Sequence, residues 1–145
     1  MRYLFIFSVS FLIISCNSST DKKGDPTRFK YGTFEIPGSD NYGKTTIVRT
    51  DSLQIEEYTK KISVSSSDNV ITEKEEKHID TLFIKWKNSF AYSLRMKNPK
   101  NDLDKDPIFV QITKVTDSSY SFTAKIGYSN FKQNGTVYKL NTSNF

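Results

Sequence analysis

Residues 119–128 read SYSFTAKIGY, a stretch in which a large or apolar side chain occupies every second position. These positions are Tyr120, Phe122, Ala124, Ile126 and Tyr128. Successive side chains of a β-strand point to opposite faces, so a two-residue period predicts a strand with one face on a core and the other in water. The stretch therefore indicates a half-buried antiparallel strand.

The same period recurs in FAYSLRMK (90–97), LFIKW (82–86) and IFVQI (108–112). Clusters of Gly, Pro, Asn, Asp and Ser separate such runs about every ten residues. The predicted strands are residues 29–36, 44–51, 53–64, 70–86, 90–97, 108–116, 119–128 and 135–141. Eight short strands with hairpin-length connections predict an all-β, antiparallel up-and-down meander that curls into a closed or half-open barrel.

The interior of an eight-stranded barrel is either filled by side chains or holds one small ligand. The chain has 11 Phe, 8 Tyr and 1 Trp, and many of them fall on the inward-looking faces. This aromatic content favours a filled or nearly filled interior. Gly32, on the same face as Phe34 and Ile36, is expected to permit a bend in the first strand.

The N-terminus has the order of an export signal: basic Met1-Arg2, an almost wholly apolar segment from 3 to 14, then small Ser15 before Cys16. About 12 apolar residues are too few to span a bilayer as a helix. Residues 13–16, IISC, resemble the lipobox of bacterial lipoproteins. That resemblance implies cleavage before Cys16, diacylglycerol on its thiol and usually an acylated amino group. The alternative is an ordinary secretory signal with an incidental cysteine.

The expected organisation is a signal peptide at 1–15, a lipidated cysteine with a flexible tether at 16–27, and one β domain at 28–145. The partner implied by Cys16 is the membrane, through its acyl chains. Asn17 is not the aspartate that retains lipoproteins at the inner membrane, and no acidic surface-export block follows it. We therefore predict the outer membrane, with the periplasmic face favoured over the cell surface.

Charge argues against a nucleic-acid partner. The formal net charge is +5, from 21 basic and 16 acidic residues, and the lysines are scattered. Trp86 between Lys85 and Lys87 has the basic-aromatic mix of single-strand binders. Core packing explains Trp86 equally well, because it continues the face of Leu82 and Ile84. A mild, scattered charge is weak for tracking phosphates, and no nucleic-acid partner is predicted.

Two other patterns contain residue types that bind metals or catalyse reactions. Asp102, Asp104 and Asp106 alternate like the start of an EF-hand, but Pro107 stands where the turn glycine belongs, which favours a solvated acidic loop.

His78 and Asp80 share a face of one predicted strand, within reach of each other. No nucleophile motif accompanies them. A histidine-based metal site also lacks further ligands, since His78 is the only histidine. We predict no catalytic residue, no metal and no cofactor, and that the protein is not an enzyme.

Asp51-Ser52-Leu53 and Asp80-Thr81-Leu82 resemble the short signal for periplasmic O-glycosylation in Bacteroidota. The resemblance implies glycans on Ser52 and Thr81.

Across the domain, FKYGTFE (29–35), FIKWKN (83–88) and GTVYKL (135–140) are similar to segments of a family of short flavobacterial lipoproteins. Some members bear the label DNA topoisomerase IV. A topoisomerase requires a far larger chain and a nucleophilic tyrosine set among metal-binding acids, so the label is not carried over. The shared segments are structural and imply no particular chemistry.

A looser likeness is to lipocalins, whose first strand opens with Gly-x-Trp. Gly32-Thr33-Phe34 keeps the glycine and replaces the tryptophan with phenylalanine. Lipocalins also place an arginine of the last strand over that ring, and Lys139 is the nearest counterpart here. This likeness implies barrel geometry and an interior ligand site.

The leading functional hypothesis is a non-enzymatic module that binds a small apolar or amphipathic ligand or an envelope partner. A second hypothesis is a structural or interaction role with a solid core. An envelope enzyme comes third, for lack of a nucleophile, base or metal set.

The intact mass of the protein extracted from native membranes tests the modifications. We expect loss of residues 1–15 and addition of a diacylglyceryl group with a further acyl chain, plus sugar if Ser52 and Thr81 carry glycans. The Cys16→Ser variant should lack all acyl mass. An unprocessed, unacylated native chain recovered from the cytosol would contradict the lipoprotein assignment, and a mass matching the acylated polypeptide alone would contradict glycosylation.

Overall fold

The computed structural model describes residues 24–65 and 71–141. Eight antiparallel strands follow one another in chain order and close into a barrel, because β8 pairs with β1. The strands are β1 (Gly32–Ile36), β2 (Thr45–Arg49), β3 (Leu53–Ser65), β4 (Ile71–Asn88), β5 (Ala91–Met96), β6 (Ile108–Val115), β7 (Ser119–Ile126) and β8 (Lys132–Lys139). The predicted all-β, eight-stranded, up-and-down barrel is confirmed, in its closed form.

Short 3₁₀-helices precede β1 (Pro26–Phe29) and interrupt the β5–β6 connection (Leu103–Lys105). No helix in the described part of the chain is long and apolar enough to cross a membrane. The first strand was predicted from residue 29 but begins only at Gly32. The cause is local: the Asp25 side chain accepts a 2.9 Å hydrogen bond from the Thr27 backbone N–H and caps the helix.

The helix that begins at Pro26 belongs to the folded domain, together with Gly24, which is buried. Residues 24–27 of the predicted tether thus pack on the barrel. A Cβ atom at position 24 would lie 2.5 Å from the Thr116 carbonyl oxygen, so only glycine permits this approach.

β3 and β4 are much longer than their neighbours and form a projecting ribbon. They pair from Leu53↔Phe83 to Ser65↔Ile71, whereas β2 pairs with β3 only as far as Glu57. The outer parts of the two strands therefore extend past the barrel wall as a two-stranded hairpin.

The inward-facing alternation is largely as predicted, and buried side chains come from all eight strands or the loop before them. The core is Phe29, Phe34, Ile47, Leu82, Ile84, Tyr92, Leu94, Val110, Ile112, Val115, Tyr120 and Val137. Two aromatic residues expected inside are in turns instead: Phe90 is 40% exposed and Tyr128 is 95% exposed. Phe90 lies in the turn between β4 and β5, and the positive φ of Gly127 (51°) ends β7 before Tyr128.

The two ends of the barrel differ. At the end where β1, β3, β5 and β7 begin, the helix Pro26–Phe29 closes the interior, and we call this the closed end. The Phe29 ring is fully buried, with its centroid 5.1 Å from that of Tyr120 and 6.1 Å from that of Phe34. Arg28 fixes the helix by donating a 2.7 Å hydrogen bond to the Asp117 carbonyl. We call the opposite end the mouth.

Candidate functional site

The closed end is organised around a buried guanidinium. Arg49, the last residue of β2, is 3% exposed and follows Ile47 on the inward face. Its Nε donates to Gln54 Oε1 at 2.6 Å, and its Nη1 donates to the Phe29 carbonyl at 3.0 Å. Its Nη2 donates to the hydroxyls of Tyr92 and Tyr120 at 2.8 and 2.7 Å. A buried cation is tolerated only when its donors are paired, and these four acceptors engage four of the five N–H groups of the guanidinium.

Aromatic rings surround the same guanidinium. Its carbon lies 4.9 Å from the ring centroid of Tyr92, 5.1 Å from Phe34 and 5.9 Å from Trp86. Such distances give cation–π attraction, which strengthens when water is excluded. We call Arg49, Gln54, Phe34, Tyr92 and Tyr120 the Arg49 cluster.

No motif in the sequence marked Arg49 as a buried residue at the centre of the closed end. Lys139, the expected counterpart of the lipocalin arginine, instead donates from Nζ to the Arg28 carbonyl at 2.9 Å. The cation over the Phe34 ring comes from β2, not from the last strand. The available signal was the alternation Thr45, Ile47, Arg49, which puts a charge on an inward position.

A cavity of about 710 Å³ opens at the mouth, and loop residues such as Ser39, Tyr42 and Leu103 form part of its lining. The barrel near the mouth is therefore less completely filled than the aromatic content predicted. The large rings are concentrated at the closed end, and the inward positions near the mouth include small residues such as Thr45 and Gly135. Alternation predicted that Phe90 and Tyr128 would point into the barrel, but both rings lie outside the barrel interior.

The cavity wall combines apolar side chains with polar and acidic ones. Its apolar side chains include Ile36, Leu82, Met96, Ile108, Phe122 and Ile126. Its ionisable acids are Glu56, Asp80, Asp104 and Asp106, and none of the described residues lining it is a lysine or arginine. The mouth thus combines an apolar surface with negative charge.

A row of polar groups connects the Arg49 cluster with the mouth. Gln54, which accepts from Arg49, donates through Nε2 to Glu56 Oε1. Glu56 is directly opposite Asp80 across the β3–β4 pair, and Tyr58 OH donates to Asp80 Oδ2 at 2.8 Å. The row places two carboxyl groups inside the barrel.

Burial raises the pKa values of two groups in this row, Glu56 and Tyr58. It raises the pKa of the Glu56 carboxyl above its ordinary value, an effect that the hydrogen bond from Gln54 and the charge of Arg49 partly oppose and that Asp80 reinforces. Burial, and then the hydrogen bond to Asp80, raises the pKa of Tyr58, so its phenol remains a neutral donor. Glu56 is therefore held in a site that disfavours its charge.

His78 and Asp80 do not contact each other as a pair. The His78 imidazole stacks on the Tyr58 ring at 5.3 Å, and its Nε2 lies 3.9 Å from Glu76 Oε2. Both predicted partners thus interact with Tyr58, which no sequence motif marks.

Two of the three acidic-loop carboxylates, those of Asp102 and Asp104, form contacts within the loop. Asp102 Oδ1 accepts from Lys105 Nζ at 2.6 Å, and Asp104 Oδ2 accepts from the Lys100 backbone N–H at 2.9 Å. In the described residues, no group of three or more His, Cys, Asp or Glu side chains is placed to hold a metal ion.

Trp86 is on the inner face, with its ring 4.6 Å from that of Tyr92, while Lys85 and Lys87 are exposed. Alternation puts these lysines on the outer face, so the three side chains do not share one surface.

Two of the three predicted modification sites lie among the described residues. Cys16 lies outside the described residues. Ser52 is exposed in the β2–β3 turn at the closed end, and Thr81 is half-buried within β4, opposite Ile55. Glycosylation at both positions stays a prediction.

Replacing Arg49 with methionine should destabilise the domain by about 2–4 kcal/mol, because several buried acceptors lose their donor. Arg95→Met, on the exposed face of β5, is the matched control and should change the free energy of unfolding by no more than about 0.5 kcal/mol. Urea unfolding followed by Trp86 fluorescence measures both. Equal stability of the two variants would show that the guanidinium does not hold the closed end.

Glu56→Gln should make the domain more stable near neutral pH. The pKa of Glu56 in the folded protein is raised above its ordinary 4.5, so the folded state binds the proton more tightly than the unfolded state. Wild-type stability is therefore lost as pH rises from 4.5 through the raised pKa, whereas glutamine keeps the Gln54 contact without ionising.

Urea midpoints measured between about pH 4 and 8 check this, with Glu57→Gln on the exposed face as control. We expect the advantage of Glu56→Gln to shrink towards the acidic limit and Glu57→Gln to stay within about 0.5 kcal/mol of wild type. Superimposable profiles for Glu56→Gln and wild type would refute the raised pKa.

The chain was also compared with known proteins. No protein-family model, curated protein or solved structure matches it.

Proposed function

We propose that the protein is a non-enzymatic, lipid-anchored module of the bacterial envelope that binds a small amphipathic ligand in the barrel mouth. The observation that carries this proposal is the cavity of about 710 Å³, plugged at one end and open at the other. Its volume falls within the roughly 300–1,000 Å³ of typical small-molecule sites.

The lining supports the same function. Aliphatic and aromatic side chains form about half of the lining, and polar side chains from β2, β3, β4, β8 and the β5–β6 connection form much of the rest. In ligand sites, apolar area provides affinity and polar groups fix orientation.

The rigidity of the closed end also supports binding. Arg49 joins the N-terminal helix to β3, β5 and β7 by hydrogen bonds, so the floor of the cavity is fixed before a ligand arrives. A preformed site avoids part of the ordering entropy that binding otherwise requires.

The alternative of a structural protein with a solid core depended on a filled interior. The cavity at the mouth favours ligand binding over that role.

The location remains the one proposed from the sequence: attachment through acyl chains on Cys16, at the periplasmic face of the outer membrane, without a nucleic-acid partner. No cofactor and no catalytic step belong to this function.

Narrowing the mouth should weaken the binding of an apolar probe. In Ile126→Trp, a larger ring replaces a half-buried side chain of the cavity wall at the mouth end of β7. We expect N-phenyl-1-naphthylamine to bind the wild-type domain with one-to-one stoichiometry and fluorescence enhancement, and to bind Ile126→Trp at least about tenfold more weakly.

The matched control is Phe109→Trp, an aromatic change at an exposed position of β6. It should bind the probe like wild type. Absence of enhancement with wild type, or equal loss in both variants, would refute a ligand site in the mouth.

A further inference from the structure

The charge of the cavity is opposite to that of the chain. The full sequence carries a formal net charge of +5, yet the described residues lining the cavity contribute four carboxyl groups and no lysine or arginine, and Lys100 lies just outside that lining. Low-dielectric walls lined by one sign of charge concentrate the field inside a cleft. The cavity interior therefore attracts cations.

Two of these carboxyl groups face each other. Glu56 and Asp80 are direct cross-strand partners on the inward face of β3 and β4. Like charges opposite one another destabilise a sheet, and burial adds to the cost at Glu56. Each receives one neutral donor from the barrel, Gln54 Nε2 for Glu56 and Tyr58 OH for Asp80. A cation placed between them would relieve a repulsion that these donors only reduce.

Lys100 places an ammonium group next to the carboxylate of Asp80. It belongs to the β5–β6 connection at the mouth, and its Nζ lies 3.7 Å from Asp80 Oδ1. The Lys100 side chain is 70% exposed, whereas that of Asp80 is only 15% exposed. A distance of 3.7 Å is beyond hydrogen-bond range, so this ammonium is held loosely by charge alone.

We propose that the mouth selects ligands with an apolar body and a terminal ammonium group, and that the ligand's ammonium displaces Lys100 from Asp80. This inference rests on the proposed ligand-binding function and adds the chemical class of the ligand. The apolar body contacts wall residues such as Leu82, Met96 and Ile108, and Glu56 supplies the second carboxyl group. An anionic amphiphile meets repulsion in the same position.

Three ligands with one alkyl chain and different head groups test the selection. Decylamine, decan-1-ol and decanoate are titrated below their aggregation limits, near pH 7, against domain loaded with N-phenyl-1-naphthylamine. We expect decylamine to bind at least about tenfold more tightly than decan-1-ol, and decanoate to bind most weakly, since a charged hydrogen bond adds about 1.5–3 kcal/mol and 1.4 kcal/mol is tenfold.

Two variants locate the ammonium. Asp80→Asn retains an acceptor for Tyr58 and should reduce the preference for decylamine over decan-1-ol to less than about threefold. Lys100→Gln removes the competing ammonium and should raise decylamine affinity by about threefold or more. If Lys100 served to bind anionic head groups, the same substitution would instead weaken decanoate and leave decylamine unchanged.

Lys105→Gln is the matched control, because Lys105 is an exposed lysine of the same connection that pairs with Asp102. It should leave all three affinities unchanged. Failure of every ligand, and of the probe itself, would overturn the proposed function together with this inference. Binding of decan-1-ol or decanoate as tightly as decylamine would overturn the charge selection alone, as would weaker decylamine binding in Lys100→Gln.

Discussion

The buried guanidinium of Arg49 is the interaction on which the rest of the structure depends. Its acceptors come from the N-terminal helix, from Gln54 on β3, from Tyr92 on β5 and from Tyr120 on β7. An interior cation cannot be left unsatisfied, so these separate parts of the chain must stay together. These hydrogen bonds close one end of the barrel. Because the large aromatic rings pack around Arg49 at that end, the other end contains space.

The fold was predictable because alternation is a local property of the sequence. A two-residue period needs no knowledge of the partner strand, and the strand order follows from short connections. The errors lie at strand ends, where single residues decide: the cap formed by Asp25 replaces the start of a strand by a helix, and the positive φ of Gly127 puts Tyr128 into solvent. Such effects depend on backbone geometry that hydrophobic patterning does not encode.

The candidate site was much less predictable. The volume of a cavity is the space that the strands enclose minus the volume of the side chains inside it. The sequence gives the number of aromatic rings, but not how deep each ring lies along the barrel axis. Arg49 resembled an ordinary charged strand end, and Glu56 lay in a polar stretch without any motif. Asp80 was singled out, but with His78 as partner; cross-strand pairing instead gave it Tyr58 and Glu56 as neighbours.

The polypeptide joins the barrel at the plugged side, where Gly24 packs against Thr116. If the proposed acylation of Cys16 holds, the anchored segment would enter the domain at the plugged end, and the mouth would lie at the other end of the barrel. A ligand of the proposed kind would then enter and leave through the end that the anchored segment does not occupy.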